Sequence, residues 1–176
     1  MTNRPMRRAD RATTHDETLT VLDAAPFVVI STVDDDGAPY GAPLSFVRRG
    51  NVLYVHATDQ GGRKVDCFRR DARVCATAVT DVVPFYADGD FSTYYRSAMA
   101  FGRMREVPDG PEFKHALVDL CMKYVPQARE HIGEAMRSSQ DHTSVWAVDI
   151  EELTGKAQPL PPTPRANADA NTNEEG

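Results

Sequence analysis

Apolar and polar positions alternate along much of this chain, and the alternation predicts a protein built mainly of strands. Residues 27–33 are β-rich on both faces, and Asp34-Asp35-Asp36-Gly37 supplies a tight turn before a second extended run over 38–48. The two runs form a hairpin. Gly50-Asn51 turns the chain into a third strand over 52–57, and 74–79, 94–104 and 145–150 complete a set of six strands. Joined mostly by short turns, six strands predict an antiparallel sheet that curls or closes. Thr14-His15-Asp16-Glu17 has the form of a capping box opening a short helix through Leu19, Val21 and Leu22. A second short helix is expected over 63–70. A longer one follows, where Phe113, Leu117, Leu120, Cys121 and Tyr124 fall on one stripe. Cys121 is therefore expected in the core. The order of elements fits a mainly β (α+β) domain, a small six-stranded barrel with helices packed outside.

Composition changes the picture at the ends. Arg4, Arg7, Arg8 and Arg11 make residues 1–13 a basic arm, and from Lys156 onward the chain turns Pro-rich and then Ala-, Asn-, Asp- and Glu-rich. The folded domain is expected over 14–155 and a disordered tail over 156–176. With 176 residues, 41% of them hydrophobic, the chain can bury one core and one domain is expected. Its formal net charge of −6 has the wrong sign for a partner of phosphate backbones, so nucleic acid is not expected. The longest apolar run, 24–30, is too short to span a bilayer, and no secretory leader pattern precedes it. A cytoplasmic protein without a membrane partner is the simplest expectation. Cys67, Cys75 and Cys121 form no C-x-x-C pair, which argues against a disulfide framework or a zinc ribbon.

Among common catalytic signatures, the nucleophile elbow, the H-E-x-x-H zinc motif, the P-loop and the dinucleotide fingerprint are all missing. Asp34, Asp35 and Asp36 sit where a hairpin needs turn residues, and no further acidic ligand follows at calcium-loop spacing, so no metal is expected. The segment 52–64 is more informative. In a strand, Leu53, Val55 and Ala57 share one face while Val52, Tyr54 and His56 share the other, so His56 faces either solvent or a site. Gly61-Gly62 then precede Arg63-Lys64 at the first turn of the short helix. Free backbone N–H groups and the positive end of the dipole favour an anion there, and two cations would make a phosphate seat. The plainer alternative is a glycine turn followed by solvated cations. Pro39 and Pro43 make the second strand an edge or a bulged strand near Pro43-Leu44-Ser45. Unpaired N–H groups there would suit the polar edge of a planar heterocycle, or the edge is simply covered by its own partner chain. Beyond Tyr94-Tyr95-Arg96-Ser97, small Ala98, Ala100 and Gly102 share one face, which fits close approach by a second subunit, a flat cofactor or interior packing.

Taken in order, Met6-Arg7-Arg8-Ala9-Asp10-Arg11, Pro43-Leu44-Ser45-Phe46, Tyr54-x-His56 with its glycines and Lys64, Tyr95-Arg96-Ser97 and Glu152-Leu153-Thr154-Gly155-Lys156 resemble a known family. It is the nitroimidazole-resistance branch of the pyridoxamine 5′-phosphate oxidase-like, FMN-binding split barrels. The resemblance implies a homodimer of six-stranded split barrels with FMN, or a deazaflavin, in clefts at the subunit interface. It implies that Arg63 and Lys64 hold the phosphate, that Ser31, Thr32, Pro43, Leu44 and Ser45 line the isoalloxazine, and that His56 sits beside the ring. Tyr95 and Arg96 would approach from the neighbouring subunit. Members of the branch are linked to reduction of the nitro group of 5-nitroimidazoles to an amine, and the histidine at the position of His56 is associated with their active site. Nitro reduction consumes protons as well as electrons, which suits an imidazole. The loop before Lys64 is one residue longer than usual in the family, leaving either Arg63 or Lys64 as the key cation. The chain lacks the arginine-rich C-terminal motif of true pyridoxamine 5′-phosphate oxidases, which argues against vitamin B6 oxidation. The first expectation is thus an FMN-dependent oxidoreductase acting on a small molecule. The rivals are a flavin- or haem-binding module that stores, senses or delivers its cofactor, and a cofactor-free structural dimer.

Overall fold

The computed structural model describes residues 5–87, 89–139 and 142–158. Arg4, at the start of the basic arm, and residues 159–176 of the expected tail lie outside the described residues. Seven strands form one antiparallel sheet: β1 (Val28–Val33), β2 (Pro39–Leu44), β3 (Phe46–Arg49), β4 (Val52–Thr58), β5 (Arg73–Ala87), β6 (Asp90–Val107) and β7 (Thr143–Gln158). Their order is β2-β1-β5-β6-β7-β4-β3. Seven flat strands would hold the edges roughly 29 Å apart. Yet β2 ends at Leu44 and β3 begins at Phe46, so two Cα–Cα steps of about 3.8 Å must join the opposite edges. The sheet therefore curls into a barrel that is split at the β2/β3 seam.

The expectation of six strands is corrected to seven. The extended run over 38–48 breaks at Ser45, where the chain passes from one edge of the sheet to the other. Pro39 and Pro43 do lie on an edge strand, whose one ladder among the described residues runs to β1. The domain limits also shift. Ala12 bridges Lys156 and the Thr13 N–H donates to the Gly155 carbonyl at 3.1 Å, so the end of the arm packs on the barrel. β7 continues through Gln158, past the expected limit at 155.

Val28, Ile30, Phe46, Leu53, Val55, Ala76, Ala100, Trp146 and Val148 fill the barrel interior. Ala98 and Ala100 are fully buried there, so the small-residue face of β6 serves interior packing. A Cβ at Gly102 would overlap the Asp149 carbonyl, beside the irregularity that shifts the β6/β7 register. Helix α1 (His15–Ala24) starts on the expected capping box: the Glu17 N–H donates to Thr14 Oγ1 at 3.3 Å and the Thr14 N–H to Glu17 Oε2 at 2.8 Å. Its Val21 and Leu22 enter the barrel core, as do Val65 and Phe68 of α2 (Arg63–Arg70). Helix α3 (Pro111–Tyr124) covers the outer face instead, packing Phe113 and Ala116 on Tyr54, Val107, Val145 and Ala147. A further helix, α4 (Ile132–Ser139), follows a 3-10 segment at Pro126–His131.

The β5/β6 hairpin runs far past the strands expected at 74–79 and 94–104. Its register shifts between Thr80 and Val83, where Asp81 takes a left-handed φ of 55°, and beyond that bulge β5 and β6 pair with each other alone among the described residues. Val82, Val83, Tyr86 and Phe91 of this arm are exposed, Phe91 at 82%.

Candidate functional site

His56 owes its place to the alternation of β4. Leu53, Val55 and Ala57 point into the barrel, while Tyr54 points out and is covered by α3. His56 is the next outward residue, beyond that cover, and it is exposed. The β3/β4 ladder ends at Phe46↔Val55, so Ser45, at the seam, and His56 are the next residues beyond its end. Tyr124 on α3 fixes that seam: its Oη accepts the Phe46 N–H at 2.9 Å and donates to the Pro26 carbonyl at 2.8 Å. The Phe46 N–H is therefore not among any free donors of the Pro43-Leu44-Ser45 edge. The sequence placed Tyr124 only in the apolar stripe of α3.

After β4 the chain passes through Gly61 (φ 81°) and Gly62 (φ 113°) into α2. Left-handed values of this kind suit glycine, and no side chain caps the helix. The N–H groups of Val65 and Asp66 turn back to the Gly62 carbonyl at 2.8 and 3.1 Å, and the earlier amides of the first turn have no intrahelical acceptor. Lys64 stands on this turn, half-buried and with no salt bridge among the described residues. Its charge reaches His56: partial desolvation against the surrounding chain first, and the Lys64 ammonium second, lower the imidazole pKa from its ordinary 6.5. Arg63 behaves differently. It is ion-paired with Asp34 and its guanidinium lies over the Tyr40 ring at 4.8 Å. Sequence reasoning assigned Asp34 to the turn alone and did not single out Tyr40.

The remaining expected residues divide by face. Ser31 and Pro43 point outward and are exposed, as is Ser45. Thr32 points into the barrel, where its buried Oγ1 has no hydrogen-bond partner, and Leu44 packs against the core. Neither side chain can line an outer surface together with Ser31. That correction was available from the period-two rule, since neighbours on a strand face opposite ways. Tyr95 and Arg96 are half-buried on β6, with Lys156 Nζ at 5.9 Å from the Tyr95 ring and Arg96 at 3.7 Å from Asp81. Arg96 pairs with Ala157 and His56 with Val145, at opposite ends of β7 and roughly 40 Å apart along it. One protomer does not bring these two groups together.

The lowered pKa gives a pH signature. The folded chain resists protonation of His56, so its stability falls as pH drops through the ordinary imidazole value, where the unfolded chain takes up the proton more readily. Lys64→Ala is expected to raise the His56 pKa toward 6.5, read from the imidazole ring protons by NMR titration. An unchanged or lower value would remove Lys64 from its neighbourhood.

A cavity of about 490 Å³ at the end of β4 is rimmed by Asp59, Glu106 and Asp109, the wrong sign for a phosphate. Among the described residues, no group of three or more His, Cys, Asp or Glu side chains is placed to hold a metal ion, and no helix is long and apolar enough to cross a membrane. The uncapped amides of α2 with Lys64 fit a phosphate, and the open edge at Ser45 with His56 fits a polar ring beside it.

An antiparallel barrel open at one seam, with helices outside, is a split barrel. The chain belongs to the pyridoxamine 5′-phosphate oxidase family, whose model matches residues 14–157. Among curated proteins none matches the sequence significantly. Solved structures do. A candidate 5-nitroimidazole antibiotic resistance protein of Bacteroides thetaiotaomicron aligns at a TM-score of 0.69 and 22% identity, covering 83% of this chain and 86% of that one. The flavocytochrome Anf3 of Azotobacter vinelandii aligns at 0.72 and 20% identity, over 97% of this chain and 92% of its own. An FAD and heme binding protein of Mycobacterium smegmatis aligns at 0.72 and 22% identity, over 84% of this chain and 72% of its own. At these identities the likeness establishes the fold.

Proposed function

We propose that this protein is a flavin-dependent oxidoreductase that binds FMN at the split of the barrel and reduces nitro groups of small heterocycles such as 5-nitroimidazoles. The observation that carries the proposal is Lys64, without a salt bridge among the described residues, on the uncapped start of α2 and near an outward-facing His56. When bound, the flavin supplies the electron transfer, from a donor the sequence does not name. Lys64 and the first amides of α2 hold the phosphate. Pro43, Ser45 and Ser31 are the outward groups available to the ring.

The protein's chemical part is the proton. Partial desolvation and the Lys64 ammonium keep His56 neutral in the free chain. A phosphate dianion on Lys64 offsets that push and raises the imidazole pKa back toward its ordinary value, where the ring can both take a proton from solvent and pass it on. His56→Ala is expected to keep flavin affinity within about threefold while slowing nitro reduction at least tenfold, the low end of general acid–base catalysis. Flavin titration and turnover on the same preparation check this, and an equally active variant would reject the proton role.

A homodimer completes the proposal. The arm beyond the bulge is a two-stranded ribbon with Val82 at 57% and Phe91 at 82% exposure, and a ribbon of that kind is marginal without a cover. A second copy would cover it and bring Tyr95 and Arg96 toward the other protomer's His56. A second reading, a carrier of flavin or haem without turnover, draws on the same exposed His56, since imidazole is a common haem ligand. The absorption spectrum of the purified protein, with mass identification of the heat-released chromophore, separates the two. FMN with turnover supports the oxidoreductase, haem supports the carrier, and a colourless protein that takes up neither removes both.

A further inference from the structure

Arg63 and Lys64 are adjacent in sequence but serve different sides of the start of α2. Consecutive helical residues point about 100° apart. Lys64 is near enough to His56 for its charge to lower the imidazole pKa, whereas Arg63 reaches Asp34 at the end of β1 and Tyr40 on β2. Asp34 is itself fixed by the turn it begins. Its N–H donates to the Ala38 carbonyl at 2.8 Å, its carbonyl accepts the Gly37 N–H at 3.0 Å, and its Oδ1 accepts the Asp35 N–H at 2.6 Å. Its side chain is 20% exposed, against 58% for Arg63, so the carboxylate is the less solvated member of the pair. At the far end of α2, Arg70 donates to the carbonyls of Val33 and Asp34. Both ends of the helix are thus tied to one turn.

A phosphate that recruited Arg63 would have to take it from Asp34. The carboxylate would lose its cation and keep the Asp35 N–H, and its charge would then repel the phosphate. The contact with the Tyr40 ring would be lost as well. Lys64 carries no such debt, since it has no salt bridge among the described residues.

We propose that Asp34 retains Arg63 as a clamp between α2 and the β1–β2 turn, leaving Lys64 as the one cation on the nucleotide phosphate, so that Asp34 sets how weakly the nucleotide is held. The inference rests on the flavin reading above and gives the acidic turn a role in that site. Arg63 is a positioning residue in this scheme.

The test uses the full chain stripped of any chromophore and titrated with FMN and with riboflavin, which lacks the phosphate. Asp34→Asn keeps the amide-accepting Oδ1 but weakens the hold on Arg63. It is expected to tighten FMN about tenfold, the gain of one charge-assisted contact, and to leave riboflavin unchanged. Arg63→Ala is expected to leave FMN affinity within about threefold. Thermal unfolding of the same chromophore-free proteins gives a readout independent of flavin. Each single variant is expected to lose about 2 °C, and the double variant no more than the larger single loss. Weakening of FMN by tenfold or more in Arg63→Ala, weaker FMN binding in Asp34→Asn, or additive thermal losses would each overturn the clamp. If the wild-type chain binds neither FMN nor riboflavin, the flavin reading fails, and the thermal cycle alone decides whether Asp34 and Arg63 are coupled.

Discussion

Lys64→Ala is expected to weaken FMN binding about a hundredfold and to leave riboflavin binding within about twofold. The magnitude follows from what remains. The amides at the start of α2 still meet the phosphate, and the positive end of a short helix contributes only about 0.3–1 kcal/mol. The ammonium supplies a charge-assisted contact worth roughly 1.5–3 kcal/mol on a half-buried surface. The change should not disturb folding, because Lys64 has no salt bridge among the described residues. Lys64→Arg should restore part of the affinity. Raising the salt concentration should weaken FMN binding in the wild type more than in Lys64→Ala, since one screened charge pair has gone. Fluorescence titration with the two flavins measures all of this. Equal FMN affinity in wild type and Lys64→Ala would remove the phosphate seat from α2.

What could be read from the sequence was whatever depends on near neighbours. The capping box at Thr14 and Glu17, the turn at Asp34-Asp35-Asp36-Gly37 and the glycine-led start of α2 each lie within a few residues, and all are present. The outward direction of His56 follows from strand alternation, and the structure places it so. The break at Ser45 was only half legible. Pro39 and Pro43 marked an edge or a bulge near it, but only closure of the whole sheet makes residues 44 and 46 opposite edges. The length of the β5/β6 arm was hidden for a related reason. Asp81, Pro84 and Asp90 interrupt the apolar pattern, although a bulge and a turn accommodate them. The clamp on Arg63 joins residues 29 apart, and Tyr124 reaches Phe46 across 78, so neither leaves a trace in spacing. Thr32 and Ser31 are a different case, since the strand period already put their side chains on opposite faces.

Trp146→Ala is expected to cost about 3–5 kcal/mol and to lower the unfolding midpoint by roughly 10 °C. Trp146 is 2% exposed and stands where the barrel core meets the candidate site. Its ring packs on Phe68 of α2 with centroids 5.5 Å apart, so its loss opens a cavity beneath the helix that carries Lys64. Its Nε1–H donates to Ser144 Oγ at 3.1 Å, and that hydroxyl lies 3.4 and 3.3 Å from the carbonyls of Ala57 and Thr58, which follow His56 on β4. One side chain therefore steadies both the strand that presents the imidazole and the helix that presents the ammonium. FMN affinity should accordingly fall in Trp146→Ala even well below its unfolding midpoint, where the chain is still folded. Trp146→Phe keeps an aromatic contact for Phe68 and loses the indole donor, so it should recover most of the stability and most of the affinity. Calorimetry and FMN titration on the two variants test the link directly. A midpoint within about 2 °C of wild type in Trp146→Ala would show that the core relaxes around the gap, while lost stability with unchanged FMN affinity would separate the barrel core from the site.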